Sequence, residues 1–239
     1  MDHPTAIRNP AGNAAGADAL EALLADRYSC RGFRADPVAR ATIERILAIA
    51  QHTASWCNAQ PWRVAITGGE ETGRFREALY AYAAGGAAPG PDFDFPRQYT
   101  GVYRQRRREC GFQLYEAVGV ARGDREAGNR QRLENFRFFG APHLAIVTTE
   151  ADLGVYGAVD CGAYVSNFML AARSLGVASI AQAALAVYPD FIRDWFDLPP
   201  ERLVVCGLSF GYEDRTHPAN AFRTTRAPLG EVVTWRGEF

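Results

Sequence analysis

No lysine occurs anywhere in the 239 residues, so every basic side chain of this chain is an arginine. That absence excludes a Schiff-base lysine, a Walker-type phosphate lysine and lysine general bases. Any anion the chain binds has to be held by guanidinium groups, backbone N–H groups or helix ends. The net charge is also small, −1 at neutral pH, which removes the global electrostatic case for a nucleic-acid partner. Cysteine is sparse and scattered: Cys30, Cys57, Cys110, Cys161 and Cys206 stand singly, with no C-x-x-C pair. An odd number without pairing argues against a disulfide framework or a zinc site. The histidines (His3, His52, His143, His217) lie far apart without ligand spacing, so no metal is expected. The longest weakly charged run, Gly157 to Leu175, nears the length of a membrane span. It carries Asp160, Asn167 and Arg173, which favours an interior or subunit-interface helix. The first residues lack the basic-then-apolar pattern of a signal peptide. The expectation is a cytoplasmic protein without a membrane or nucleic-acid partner. A flexible arm over residues 1–17 would precede one domain, 18–239.

What is present reads as helices alternating with a few strands. Asp18 with Glu21 has capping-box spacing, followed by Leu20, Leu23 and Leu24 on one helical face. Asp36-Pro37 reads as a cap and first-turn proline for a helix buried along Ile43, Ile46, Leu47 and Ala50. Strands are expected at "WRVAIT", "HLAIVTT", "VASIAQ" and "RLVVCGLSFGY", and helices at 70–82, 103–121, 126–139, 157–175 and 189–196. This pattern predicts a three-layer α+β or α/β sandwich. The segment 84–139, whose first part is rich in Gly, Pro and aromatics, reads as a helical insertion between two core strands.

Familiar motifs are missing. No G-x-G-x-x-G follows a strand, no P-loop is present, and "GLSFG" at 207–211 ends a strand instead of forming a nucleophile elbow. Three arginine-bearing patches remain: "RYSCRGF" (Arg27, Ser29, Arg31), "ENFRFFGAP" (Arg137) and "FRTTRAPLGEVV" (Arg223, Arg226). Arginine beside hydroxyls suits a phosphate, because the guanidinium fork makes bidentate charge-assisted bonds. Taken singly, each patch is equally readable as a solvated surface or a helix-dipole partner. The loop "ASWCNAQPW" at 54–62 poses a further question, since Cys57 could be a nucleophile. No histidine accompanies it in an extended motif, and single cysteines are usually inert.

In combination, these segments resemble the flavin-dependent nitroreductase family. "RYSCRGF", a D-x-P-V helix, "SWCNAQPW", "DCGAYVSNFMLAARSLGVAS", "IAQAALAVYPDFIRDWFDLPPERLVVCGLSFGY" and "NAFRTTRAPLGEVV" follow the family's order. The "SWxNxQPW" and "NxFRTxRxPL" forms look most like its nitrobenzoate-reductase-type branch. The resemblance implies an α+β three-layer sandwich, with a central mixed or antiparallel sheet, that forms an intertwined homodimer. It implies FMN at the subunit interface, reduced by NADH or NADPH. The hydride would pass through flavin N5 to a small electron-poor acceptor, a nitroaromatic or quinone, in ping-pong fashion. An enone, a halophenol or free flavin stays open as acceptor, as does a non-catalytic flavin-binding role.

Carried over by motif, Arg27, Tyr28, Ser29 and Arg31 would meet FMN from one subunit. Arg223, Thr225 and Arg226 would close the phosphate site. Ser55, Trp56 and Asn58 would come from the neighbour's loop, where Ala54 replaces the family's usual proline. Gln182 and Ala183 would lie near N5, and Asn135 and Arg137 beside the ribityl chain and O2. From the insertion, Tyr99, Tyr103 and Arg107 would line the acceptor pocket.

Overall fold

The structure, a computed structural model, describes residues 14–238. Its centre is a four-stranded sheet of order β1-β2-β4-β3, antiparallel throughout, formed by β1 Arg63–Thr67, β2 His143–Glu150, β3 Ala178–Gln182 and β4 Arg202–Gly211. The sheet is thus purely antiparallel, at the simpler end of the mixed-or-antiparallel expectation. The inner strand β2 shows why two helical layers are required. Successive side chains of a strand point to opposite faces, and both faces of β2 are apolar. Ala145 and Val147 enter a core with Ile43, Ile46, Tyr164 and Phe168, whereas Leu144 and Ile146 enter another with Phe75, Leu79, Leu185 and Ile192. The first core lies under α2 Arg40–Ala50 and α6 Gly154–Ser174. The second lies under α3 Glu70–Ala84 and α7 Pro189–Phe196. The result is a three-layer α+β sandwich.

The helix starts depart from the capping signals. α1 spans Ala14–Asp26, so Asp18 sits inside the helix and Ala14 to Ala17, the described end of the expected arm, are helical. Residues 1–13 lie outside the described residues. α2 starts at Arg40 with Ala39 as its cap, and the Asp36 carboxylate accepts from the Arg34 side chain at 2.9 Å instead of capping the helix. α7 follows its signals closely: Pro189 opens it and a left-handed Asp197 closes it.

Between α3 and β2 the chain runs through an irregular stretch, 85–100, then α4 Gly101–Ala117 and α5 Arg125–Leu133. The irregular stretch is tied to the body of the protein. Asp92 accepts the Val204 N–H and pairs with Arg193, both at 2.7 Å. α5 is capped by Asp124, which accepts the Ala127 N–H. α4 has no buried residue, and its aromatic side chains Tyr103, Phe112 and Tyr115 are exposed. It stands as an arm beside the sandwich. Among the described residues no helix is long and apolar enough to cross a membrane.

Candidate functional site

The first and third arginine patches, at opposite ends of the sequence, meet in space. Backbone pairing fixes the first one. Ser29 bridges Ser179 in parallel beyond the edge of β3, and the Cys30 N–H donates to the Ser179 carbonyl at 3.2 Å. Phe33 then bridges Glu213, and the Arg34 N–H donates to the Tyr212 carbonyl. The chain therefore crosses the end of the sheet in an extended form that holds Arg27 to Arg31 on one side. Asn220 fastens the C-terminal patch to it. Its amide donates to the carbonyls of Gly32 and Asp214 and accepts the Arg31 N–H at 2.8 Å. Asn220 is buried, which makes this fastening a fixed part of the fold. Gly32 is required at the crossing, since a Cβ there would stand 2.3 Å from the His217 ring.

Around this junction lies a cavity of about 240 Å³ lined by Arg27, Tyr28, Ser29, Arg31, Arg223 and Arg226, with Thr224 and Cys110 at its margin. None of these four arginines pairs with a carboxylate among the described residues. The guanidinium of Arg27 is pushed below its usual pKa range by burial and by the charge of Arg226, and that of Arg31 by burial. Arg223 lies over the Tyr28 ring, 3.6 Å from its centroid. The Tyr28 hydroxyl donates to Glu213 at 2.6 Å, and burial with that hydrogen bond pushes its pKa up. Arg173 and Arg215 in turn hold Glu213. Concentrated, partly desolvated positive charge of this kind is stabilised by a doubly charged anion.

A second element of the site is strained. Phe138 and Phe139 both adopt left-handed backbone angles (φ 57° and 51°) in the 3-10 turn Glu134–Gly140. Side chains of this size rarely do so, and such strain concentrates at functional sites. Here it sends Phe138 into the core under α3 and sets Phe139 beneath Arg31, 6.0 Å from ring centroid to guanidinium carbon. Gln182 joins the same region. Its amide donates to the backbone and side-chain oxygens of Asn135 (3.0 and 3.3 Å), and its carbonyl accepts from Ser209. Asn135 and Gln182 are thus brought together. Ala183 is exposed and opens a 3-10 turn, where leading N–H groups lack partners within the helix.

The loop at 54–62 stands apart from the arginine cavity within one chain. Ser55 accepts the Gln60 N–H, the Trp56 N–H donates to Asp160 at 3.1 Å, and the Trp56 ring meets Tyr156 edge-on at 4.3 Å. Cys57, Asn58 and Gln60 are all left-handed, with Cys57 and Asn58 exposed. Gln60 and Trp62 are held by Gln51, which fixes the exit into β1. Arg137 also turns elsewhere, lying 4.2 Å over the Tyr80 ring beside Glu134. Thr225 lines an adjoining cavity, and Thr224 takes its place at the cradle. Tyr99 and Tyr103 are exposed, with Arg107 over the Tyr99 ring at 5.1 Å. Glu213 and Asn220 escape a search for phosphate-binding residue types, because both act by holding other residues.

The family model for "Nitroreductase family" matches residues 24–212. The chain belongs to the nitroreductase family. It is 35% identical over 220 residues to nitroreductase NfnB of Mycolicibacterium smegmatis, covering 91% of this chain and 92% of that protein. It is 31% identical over 222 residues to the 4-nitrobenzoate reductase of a Nocardioides species, covering 91% and 90%. Among solved structures, the FMN-dependent nitroreductase NfnB of Mycobacterium smegmatis in complex with NADPH superposes with a TM-score of 0.88. That match has 34% identity and covers 92% of this chain and 99% of that one. This nitroreductase family member is therefore similar along most of its length to oxidoreductases of nitroaromatic compounds. The antiparallel sheet and the extended arginine crossing lie within the residues the family model matches.

Proposed function

We propose that the chain is an FMN-dependent oxidoreductase that takes a hydride from NADH or NADPH and delivers it to a nitroaromatic or quinone. The observation that carries this reading is the cradle of Arg27, Arg31, Arg223 and Arg226 without carboxylate partners, joined by Ser29 and Thr224. The fit to the phosphate of FMN rests on that donor set: arginine forks and hydroxyls, in a site whose burial already disfavours uncompensated charge. FMN, when bound, supplies a ring atom, N5, that accepts a hydride and later gives it up. Arg27 and Arg226 hold the phosphate, while Arg223 is kept in place by the Tyr28 ring and the Glu213 carboxylate behind it. Arg31, fixed through its backbone to Asn220 and set over Phe139, would supply fixed positive charge to stabilise the reduced flavin. Gln182 fixes Asn135, so both enter the site with their orientation set. Ser55, Trp56 and Asn58 complete the site from a second copy of the chain. One shared pocket for donor and acceptor makes the kinetics ping-pong. Cys57 is a spacer in the loop.

The NADPH complex of one relative and the identity of another as a 4-nitrobenzoate reductase support the reading. The test is a visible spectrum of the purified protein, supplied with FMN, then with NADH or NADPH without oxygen. Flavin absorbance that bleaches with a nicotinamide donor and returns with a nitroarene is the expected result. A protein that stays colourless in excess FMN overturns it.

A further inference from the structure

One arginine outside the cradle reaches both of the segments that build it. Arg173 stands in the last turn of α6. Its Nε donates to the Asp26 carboxylate, and its Nη1 lies 3.6 Å from the carboxylate of Glu213. Asp26 ends α1 and directly precedes Arg27 of the cradle. Glu213 follows β4 and accepts the hydroxyl of Tyr28, whose ring carries Arg223. Among the described residues only Arg173 and Arg193 pair with two carboxylates, and one partner of Arg193, Asp190, is on its own helix. An arginine in a last turn can merely complement the helix dipole. That role needs no carboxylate and leaves the side chain in water, whereas the Arg173 side chain is 16% exposed. The hydrogen bond between Arg173 and Asp26 raises the pKa of the first and lowers that of the second, so each holds the other charged. The base from which Arg173 reaches is also fixed. Ala171 and Ala172 are buried, and the Val177 N–H closes on the Ala172 carbonyl at 2.9 Å.

Arg173 does not line the cradle cavity, so it is not a fifth ligand for an anion. Its place is behind the cradle, where a holding force is needed. Arg27, Arg31, Arg223 and Arg226 are like charges around one small cavity, and the charge of Arg226 already lowers the pKa of Arg27. Empty, such a cradle is pushed open by its own charge. Asn220 joins the two segments at Arg31, and Arg173 joins them at Arg27. We propose that Arg173 is a positioning residue that clasps the two sides of the arginine cradle at the spacing a phosphate dianion requires. The inference rests on the reading above for the identity of that phosphate, the one carried by FMN. A clasp acts by preorganisation: the donors are gathered before the ligand arrives, and binding does not have to gather them. It also reverses a sign. Asp26 and Glu213 are negative groups near an anion site, so by charge alone their removal strengthens anion binding. As the two grips of the clasp, their removal weakens it.

The test titrates the full-length chain, freed of flavin, with FMN and with riboflavin, which lacks the phosphate, by quenching of flavin fluorescence. Arg173→Gln binds FMN about tenfold more weakly and riboflavin within about twofold of the natural chain. Glu213→Gln behaves alike, and the double variant loses no more than the larger single loss, because either change opens the same clasp. Asp26 is exposed, so Asp26→Asn leaves folding intact, and it weakens FMN about threefold. Equal losses for FMN and riboflavin overturn the proposal, since they make Arg173 a support of the general structure. Losses that multiply in the double variant overturn it as well. So does tighter FMN binding by Asp26→Asn or Glu213→Gln, the sign that charge alone gives. If the natural chain takes neither flavin, it and the same four variants are titrated with inorganic pyrophosphate by calorimetry. Weaker pyrophosphate binding in the three single variants then sinks the FMN reading and upholds the clasp, whereas unchanged binding sinks both.

Discussion

His143 shows how much one buried side chain decides here. It opens β2 and is 5% exposed, and its Nε2 accepts the Val38 N–H at 2.9 Å. That role leaves the proton on Nδ1, which donates to the Thr67 carbonyl at 3.2 Å. The ring thus joins the start of β2, the end of β1 and the approach to α2, while stacking on Phe210. A second proton would have to go on Nε2, where it would meet the Val38 N–H. Burial lowers the pKa from its usual 6.5, so the folded chain keeps His143 neutral. As pH falls through 6.5 the unfolded chain takes up a proton that the folded chain refuses. Stability contributed by the neutral ring is therefore full above about pH 6.5 and declines below it, by at most about 1.4 kcal/mol per pH unit. Melting temperatures between pH 7.5 and 5 for the natural protein and for His143→Gln measure this. The natural chain should lose more on acidification, and parallel slopes for the two proteins would remove His143 from the account.

At the scale of elements, close approach between α6 and β2 is the feature most exposed to a single change. A Cβ on Gly157 would stand 2.5 Å from Thr149 Oγ1 and 2.9 Å from Leu153 Cβ, whereas Gly73 in α3 has nothing within 4 Å. The same substitution should therefore act with opposite signs. Gly157→Ala is expected to cost about 1–3 kcal/mol through overpacking, and Gly73→Ala to add about 0.5–1 kcal/mol through helix propensity. Urea unfolding of both variants decides it, and a stabilised Gly157→Ala would contradict the packing described. This contact also marks the limit of what the sequence makes legible. The continuous apolar run of β2 and the proline and polar ends of α7 are local signals, so those elements are readable within a residue or two. Asp18 and Asp36 look like caps locally, yet α1 begins four residues before Asp18 and the Asp36 carboxylate meets Arg34 instead of a helix N-terminus. The arginine cradle was readable through Arg27, Arg31, Arg223 and Arg226 because motif chemistry names residue types. Asn220 and Glu213 were not, since an amide and a carboxylate that hold other residues carry no pattern. The placement of Arg137 over Tyr80 depends on the left-handed turn that follows it, which no spacing rule announces.

For the molecule as a whole, the decisive surface is the outer face of α6. Val155 and Val159 are 66% and 59% exposed, with Tyr156 between them and Gly162, Ala163 and Ser166 continuing the same uncharged side. An exposed apolar stripe on a long helix marks a contact surface. The loop carrying Ser55, Trp56 and Asn58 rests at the edge of that stripe, through the Trp56–Tyr156 ring contact and the Trp56–Asp160 hydrogen bond. In one chain this loop is absent from the arginine cavity, so under the proposed function a second copy would have to supply it, and this stripe is the surface along which the two would pack. Self-association and cofactor retention are then one property measured in two ways. Val159→Glu places a charge in the middle of the stripe while leaving the core, the cradle and the loop residues unchanged. By light scattering the natural chain should run as a dimer and the variant, at the same concentration, as a monomer. Its FMN affinity should fall by about tenfold or more, because a fully formed arginine cradle would still lack the neighbour's Asn58 and Ser55. A monomeric Val159→Glu protein that holds FMN as tightly as the natural one would show that one chain suffices, and would return the loop at 54–62 to a purely structural part.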